Sequence, residues 1–127
     1  GRGADGVNSA TAWVNILSVY AYCNLPQFGA YSASSAAAHS LSQCLRSELR
    51  VGGVRVMNVY ASATEDEWHQ PLPPPKVSAT KLASAVIEGL REGLEDIYVG
   101  DVAKDLIDRW TAGPKLLELE MTRQGGS

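Results

Sequence analysis

The sequence predicts an α/β fold in which helices flank a narrow parallel sheet. Short apolar, β-prone runs alternate with amphipathic helical runs along the 127 residues, and this alternation is typical of βαβ units. The chain is 45% hydrophobic and 20% charged, an ordinary composition for a globular domain. We therefore expect one domain at 12–122, preceded by a lead-in at 1–11 and followed by a flexible tail at 123–127.

The first strand and the first helix are predicted from a change in hydrophobic period. The run Ala12–Val19 (AWVNILSV) is apolar on both faces, which predicts a parallel strand covered on both sides. Pro26 and Gly29 interrupt the chain, and a helical pattern then runs from Tyr31 to about Val51, where two glycines end it.

This helix is predicted to pack through an apolar face. Residues at three- and four-residue steps form that face: Ala38, Leu41, Leu45 and Leu49. Small residues form a second face that permits close approach by another element: Ala33, Ala36 and Ala37.

The later elements continue the alternation. Val54–Tyr60 (VRVMNVY) predicts a second strand, parallel to the first through a right-handed crossover. After a proline-rich loop, Ser78 is placed to cap a second helix, and Ile97–Val99 predicts a third strand. Two short helices follow, at Val102–Trp110 and Pro114–Met121. Three strands leave the sheet edges unpaired, so we expect a partner surface or a missing segment there.

Charge and composition exclude several classes of function. The net charge is −3, and the 11 Lys and Arg residues are scattered, so we expect no nucleic-acid or anionic-membrane surface. No apolar run approaches the roughly 18 residues that a membrane span needs, and no secretory signal pattern is present. We therefore predict a cytoplasmic protein.

Cys23 and Cys44 lack the spacing of a metal site and are predicted to be free thiols.

Two hydroxyl groups are placed where a site could form. Ser18 ends the first predicted strand and Tyr31 opens the following helix, and such positions converge at the mouth of an α/β sheet. In a functional interpretation, the two hydroxyls form a pair that hydrogen-bonds a carbonyl group. In a structural interpretation, Ser18 only ends a strand and Tyr31 only fills the start of a helix, and this second interpretation is favoured.

The same stretch resembles the C-terminal half of a short-chain dehydrogenase/reductase. Members of that family end their fifth strand with a motif like VNxxS, have a catalytic tyrosine thirteen residues later, and open the next helix with YxASKAA. The corresponding residues here are VNILS, ending at Ser18, and YSASSAAAHSLSQCLRSEL, beginning at Tyr31. The resemblance covers roughly 8–110. It implies a partial Rossmann-like parallel sheet that lacks the N-terminal, cofactor-binding half.

The resemblance implies a catalytic pair with one essential group replaced. In the family, the serine and tyrosine bind the substrate oxygen, and a lysine four residues after the tyrosine lowers its pKa and binds the cofactor ribose. Ser35 stands at the lysine position, whereas a tyrosine with a pKa of about 10 needs a nearby cation to act as a base. His39 is the nearest titratable alternative but is interpreted as a packed helix residue, and Arg46 lies three turns beyond Ser35.

The cofactor-binding positions are altered as well. Where the family commonly has Pro-Gly and then a threonine facing the nicotinamide, this chain has Ala61, Ser62 and Asp66. Alanine and serine restrict the backbone, and the carboxylate would repel the cofactor phosphates. The glycine-rich turn that holds the pyrophosphate belongs to the N-terminal half of the family and is not found here. The chain alone is therefore not expected to bind NAD(P).

Two functions follow from the resemblance. The first is a non-catalytic assembly or structural partner of an active NAD(P)-dependent dehydrogenase, since the helix opened by Tyr31 and the C-terminal segment form the subunit interfaces of the family. The second is an oxidoreductase for a carbonyl or alcohol substrate, completed by a missing N-terminal half or a partner chain, with Tyr31 as proton donor and Ser18 orienting the carbonyl. Both imply a homo- or hetero-oligomer. A module that binds a carbonyl-bearing ligand in the old substrate pocket is a third possibility.

Overall fold

Parallel strands and helices alternate in the computed structural model, which confirms the predicted α/β class. The structure describes residues 11–23, 25, 28–62 and 77–126. The predicted lead-in and most of the proline-rich loop lie outside these residues. The elements in chain order are β1 (Thr11–Ser18), a one-turn 3₁₀ helix (Val19–Ala21), α1 (Gly29–Val51), β2 (Val54–Ala61), α2 (Ala79–Glu92), β3 (Asp96–Val99), α3 (Asp101–Ala112) and α4 (Pro114–Gly126).

The strands form one sheet in the order β1-β2-β3, and both pairs are parallel. The register runs from Thr11 opposite Val54 to Ser18 opposite Ala61, and Ala61 is in turn opposite Val99. Parallel strands bring their carboxyl ends to the same edge of the sheet, where loops form a binding crevice. Ser18 therefore lies at the edge where a site is expected.

The two faces of the sheet pack against different helices. Side chains alternate between the faces along a strand, so Met57 and Val59 pack towards α2 while Tyr60 packs towards the other helices. The α2 side is completed by partly buried residues of that helix: Leu82, Ala85, Val86 and Leu90. The opposite side takes its buried residues from the 3₁₀ turn, α3 and α4: Val19, Tyr20, Ala103, Leu106, Leu117 and Met121.

The packing face of α1 matches the predicted apolar face only in part. Leu45 and Leu49 are half-buried, but Ala38 and Leu41 are exposed, Leu41 to 70%. The buried residues of the helix are Ser32, Ser35 and Ser42. The serines can face the interior because two of them have hydrogen-bond partners there: the Ser32 hydroxyl accepts from the backbone N–H of Leu25, and the Ser42 hydroxyl donates to Asn58. A buried hydroxyl costs little when it is hydrogen bonded.

β1 is covered on both sides only in part, because Leu17 packs on one face of the sheet and Val14 on the other while other side chains of the strand are exposed. Trp13 is 52% exposed and Ile16 is 49% exposed, on a strand that pairs only with β2. The alternation of faces places Trp13 with Asn15 on the α1 side and Ile16 with Val14 on the α2 side. In the described part of the chain, no element lies beyond β1 to cover these side chains.

The ends of the later elements follow local rules. The Ser78 hydroxyl accepts from the N–H of Lys81 at 3.1 Å and caps α2 as predicted, and Gly93 ends that helix with a φ of 71°. α4 begins at Pro114 as predicted but continues to Gly126, through most of the predicted tail. Arg109 of α3 holds α4 through an ion pair with Glu120.

The structure also describes the two cysteines and the apolar character of the helices. Cys23 is buried and Cys44 is exposed, and both are free thiols as predicted. Among the described helices, none combines the length and the apolar character that crossing a membrane requires.

Candidate functional site

The carboxyl end of β1 and the first three turns of α1 enclose an open cavity of about 320 Å³. We call it the hydroxyl cavity, because four of its lining residues carry hydroxyl groups. β1 contributes Ile16, Leu17 and Ser18, β2 contributes Ala61, and α1 contributes Tyr31, Ser34, Ser35 and Ala38. The structure thus brings Ser18 and Tyr31 to one cavity, at the mouth of the sheet where the sequence placed them, and adds Ser35 and Ala61 to the same lining.

Ser18 is held by the turn that follows its strand. Its hydroxyl oxygen accepts a hydrogen bond of 3.0 Å from the backbone N–H of Tyr20 and so caps the 3₁₀ turn. A hydroxyl has one donor and two acceptor positions, so this bond leaves the proton of Ser18 available to donate. The contact fixes the hydroxyl at the cavity wall. Ser18 therefore has a structural role, as the cap of the turn, in addition to any chemical role.

Tyr31 enters the cavity from the first turn of α1. Its side chain is half-buried, and its ring meets the ring of Tyr20 edge to face with centroids 6.4 Å apart. Burial raises the pKa of Tyr20 to about 12, with smaller contributions from Cys23 and Tyr31. Tyr20 therefore stays neutral at physiological pH, so it supplies packing for Tyr31 but no charge.

Ser35 lies one helical turn after Tyr31 and only 9% of it is exposed. Among the described residues that line the hydroxyl cavity, none carries a charge. Arg46, also on α1, is committed elsewhere, because its guanidinium donates to the carbonyls of Val56 and Glu95 and pairs with Asp96 at 2.9 Å. The described residues therefore place no cation at the cavity to lower the pKa of a tyrosine.

His39 belongs to a separate group of rings on the same side of the sheet. Its Nδ1 lies 2.8 Å from the hydroxyl of Tyr60, and its ring packs on Tyr22 with centroids 4.9 Å apart. We call this group the aromatic cluster; it consists of Tyr22, His39, Tyr60, Tyr98 and Trp110. His39 does not line the hydroxyl cavity, so it does not replace the missing lysine.

His39 is expected to make the stability of the protein dependent on pH. Burial lowers its pKa below the usual 6.5, nearby Asp96 raises it and Arg46 lowers it. The folded state thus favours neutral His39, whereas the unfolded chain takes up a proton near pH 6.5. The stabilisation is full above about pH 6.5 and falls as the pH drops towards the lower pKa of the folded state.

Urea unfolding between pH 7.5 and 5 is the measurement, with His39→Phe as the matched variant that keeps a ring in place. The wild-type protein should lose more stability over this range than the variant does. An equal loss in both proteins would assign the effect to other groups.

The predicted cofactor positions are only partly described. Ala61 lines the hydroxyl cavity and is 3% exposed, and Ser62 is 2% exposed, while Asp66 lies outside the described residues. A cavity of about 320 Å³ is at the lower limit for a drug-sized ligand. Its described lining residues offer hydroxyl groups but no charged partner for phosphate groups, so by themselves they do not fit a dinucleotide.

Two features of the site region escaped the sequence analysis. Ser34 and Ala38 line the cavity beside Ser35, and their spacing from Tyr31 along one helix face was the available signal. A buried polar network of Asn15, Ser42 and Asn58 joins β1, α1 and β2 behind the cavity. No pattern in the sequence indicates that these three residues meet, because they are far apart in the chain.

Comparison with known proteins identifies the family. The profile of the family described as short chain dehydrogenase matches residues 8–76, which is more than half of the chain. The chain belongs to the short-chain dehydrogenase family. The match includes Ser18, Tyr31 and Ser35, and it confirms the resemblance that these motifs suggested. No curated protein sequence matches the chain.

Solved structures of short-chain dehydrogenases support the fold. A short chain dehydrogenase from Burkholderia cenocepacia J2315 in complex with NADP has a TM-score of 0.78 and 29% identity, over 93% of this chain and 48% of that chain. The bulky-bulky ketone specific alcohol dehydrogenase from Comamonas testosteroni has a TM-score of 0.56 and 28% identity, over 90% of this chain and 41% of that one.

A short-chain dehydrogenase from Streptomyces avermitilis shares the fold at 24% identity, with a TM-score of 0.63 over 91% of this chain and 52% of its own. The chain thus spans about half the length of the dehydrogenase structures that it matches. Its Ser18 and Tyr31 lie thirteen residues apart and Ser35 lies four residues after Tyr31, the positions at which the sequence analysis predicts the family's serine, tyrosine and lysine.

Proposed function

We propose that this chain is a non-catalytic assembly partner of an active NAD(P)-dependent dehydrogenase. The observation that carries the proposal is the buried, neutral Ser35, which lines the cavity at the position where the resemblance to the family implies a lysine. The lysine of the family is the cation that makes the tyrosine a usable base at neutral pH. With serine in its place, the described part of the cavity can hydrogen-bond a carbonyl or alcohol through its hydroxyls without supplying the cation that the family's proton exchange uses.

Exposed apolar surface supports a role in assembly. On α1, Ala33, Ala37 and Leu41 follow one another at four-residue steps and are all exposed. On α4, Leu116 is 57% exposed and Leu119 is 47% exposed. Helix faces of this kind, which leave apolar side chains in water, are typical of interaction surfaces.

A second candidate function is the oxidoreductase itself. It is favoured by the meeting of Ser18 and Tyr31 in one cavity and by the similarity to a dehydrogenase that binds NADP. In this case Tyr31 would donate the proton to the substrate oxygen and Ser18 would orient it. The nicotinamide cofactor would supply the hydride, and the residues that hold it would come from outside the described part of the chain.

Tyr31→Phe separates the two candidates. The variant is measured in the complex that the chain forms with a dehydrogenase subunit, as NAD(P)H oxidation with a panel of ketones and aldehydes. A non-catalytic partner predicts turnover within about twofold of the wild type. Loss of a true general acid would lower turnover by about 10²- to 10⁴-fold.

Ser35→Ala is the matched control, since it removes a hydroxyl from the same cavity wall without touching Tyr31. A fall of 100-fold or more that is specific to Tyr31→Phe would overturn the non-catalytic proposal and support the oxidoreductase.

A further inference from the structure

Tyr20 contacts both members of the hydroxyl pair formed by Ser18 and Tyr31. Its backbone N–H donates to the Ser18 hydroxyl at 3.0 Å. Its ring meets the ring of Tyr31 edge to face, with centroids 6.4 Å apart and an angle of 61° between the ring planes. Tyr20 is not among the described residues that line the hydroxyl cavity. It therefore lies behind the cavity wall, in contact with the two side chains that reach into the cavity.

The packing around Tyr20 fixes its position. A single 3₁₀ turn has poor hydrogen-bond geometry and is weak on its own, so the burial of its side chains decides how the turn is oriented. Tyr20 is only 4% exposed. The buried cluster that contains it includes residues of α3 and α4: Ala103, Leu106, Leu117 and Met121. These two helices therefore hold the turn that follows Ser18.

We propose that Tyr20 is a positioning residue, whose ring holds Tyr31 in the orientation that lets both members of the hydroxyl pair reach one carbonyl oxygen. The backbone of Tyr20 restrains Ser18 and its ring restrains Tyr31, so one buried residue sets the geometry between the two hydroxyls. The inference rests on the proposed function only in that the cavity hydrogen-bonds a carbonyl compound. It requires neither proton transfer nor a charged group.

A purely structural role for Tyr20 predicts a different result. An edge-to-face pair of aromatic rings contributes to stability wherever it lies, so loss of the ring destabilises the fold in either case. Only a positioning role makes the affinity of the folded protein for a cavity ligand depend on the ring. Binding under native conditions, measured separately from stability, therefore distinguishes the two roles.

Titration of the full chain with cyclohexanone, followed through the backbone amide NMR signals of Ser35 and Ala61, tests the proposal. Methylenecyclohexane has the same ring without the oxygen and reports binding that does not use the hydroxyls. Tyr20→Leu removes the ring, and Tyr20→Met does so with a flexible side chain that refills core space, so the test does not depend on one variant folding. Tyr20→Phe keeps the ring. The matched control is Tyr98→Leu, which removes a ring from the aromatic cluster instead.

Positioning by the ring predicts that Tyr20→Leu and Tyr20→Met each raise the Kd for cyclohexanone by about three- to tenfold, the effect of weakening one hydrogen bond. Tyr20→Phe and Tyr98→Leu should stay within about twofold of the wild type. In a Tyr31→Phe background the ring-free variants should cause no further loss, because the hydroxyl that the ring positions is already absent. An unchanged Kd in the ring-free variants, an equal rise in Tyr98→Leu, or a full additional loss in the Tyr31→Phe background would each overturn the proposal.

The proposed function is tested by a separate measurement, the turnover of the complex with a dehydrogenase subunit. Turnover that depends on Tyr31 would overturn the non-catalytic proposal and leave the positioning role standing. Absence of saturable cyclohexanone binding to the wild-type chain, or equal binding of methylenecyclohexane, would overturn the positioning role. Turnover independent of Tyr31 would in that case still support the assembly role.

Discussion

Tyr60→Ala is expected to lower the free energy of unfolding by about 3–5 kcal/mol, the range for removing a large buried aromatic side chain. Tyr60 is 1% exposed on the central strand. Its ring stacks on Tyr98 with centroids 5.1 Å apart and meets Tyr22 edge to face at 5.3 Å. The substitution leaves a cavity in the middle of the aromatic cluster, where α1, α3 and the sheet meet.

Two further variants separate the ring from its hydroxyl. Tyr60→Phe keeps the ring and removes the hydroxyl with its hydrogen bond to His39, so it should cost about 0.5–1.5 kcal/mol. Leu41→Ala, at a side chain that is 70% exposed, should change stability by no more than about 0.5 kcal/mol. Urea unfolding gives all three values. A cost for Tyr60→Ala no larger than that of Tyr60→Phe would mean that the cluster does not stabilise the fold.

The order of elements was readable from the sequence because it depends on local properties. Apolar β-branched runs gave the strands, Ser78 and Gly93 marked the ends of α2, and Pro114 marked the start of α4. The predicted bounds differ from the observed ones by one or two residues in most elements. α4 is the exception, because its helical pattern weakens after Met121 although the backbone stays helical to Gly126.

The face through which α1 packs could not be read in the same way. Apolar periodicity pointed to Ala38 and Leu41, but the interior beneath α1 is polar, and it accepts serines. Whether a serine is buried depends on a partner elsewhere in the chain, such as Asn58 on β2 for Ser42. Propensity and periodicity contain no information about such a partner, and tertiary contacts decide the outcome.

More of the candidate site than of the aromatic cluster beside it could be predicted from the sequence. The spacing of Ser18, Tyr31 and Ser35 was recognisable because a strand end and the first turns of the next helix are local in sequence. The aromatic cluster was not, because Tyr22, His39 and Tyr98 come from three distant segments. His39 packs within this cluster and does not line the hydroxyl cavity, and its position on α1 did not indicate which of the two it would join.

Asn58→Leu is the second substitution with a large expected effect, a loss of about 2–3 kcal/mol in the free energy of unfolding. Asn58 is fully buried, and its side-chain oxygen accepts hydrogen bonds from the Ser42 hydroxyl and from the Asn15 amide at 3.1 Å. Leucine keeps the branching and length of asparagine but is larger, so the cost arises from the two donors that lose this acceptor and from tighter packing. A buried donor without a partner costs about 1–3 kcal/mol.

A double-mutant cycle with Ser42→Ala shows whether the network or the packing carries this cost. Ser42→Ala removes the hydroxyl that Asn58→Leu leaves unsatisfied, so the double variant should be more stable than the sum of the single losses predicts, by about 0.5–2 kcal/mol. Strict additivity would mean that Asn58 contributes through its volume alone. Coupling of the expected sign would show that hydrogen bonds between β1, α1 and β2 hold the strand end of Ser18 against the helix of Tyr31, which is the geometry that the hydroxyl cavity requires.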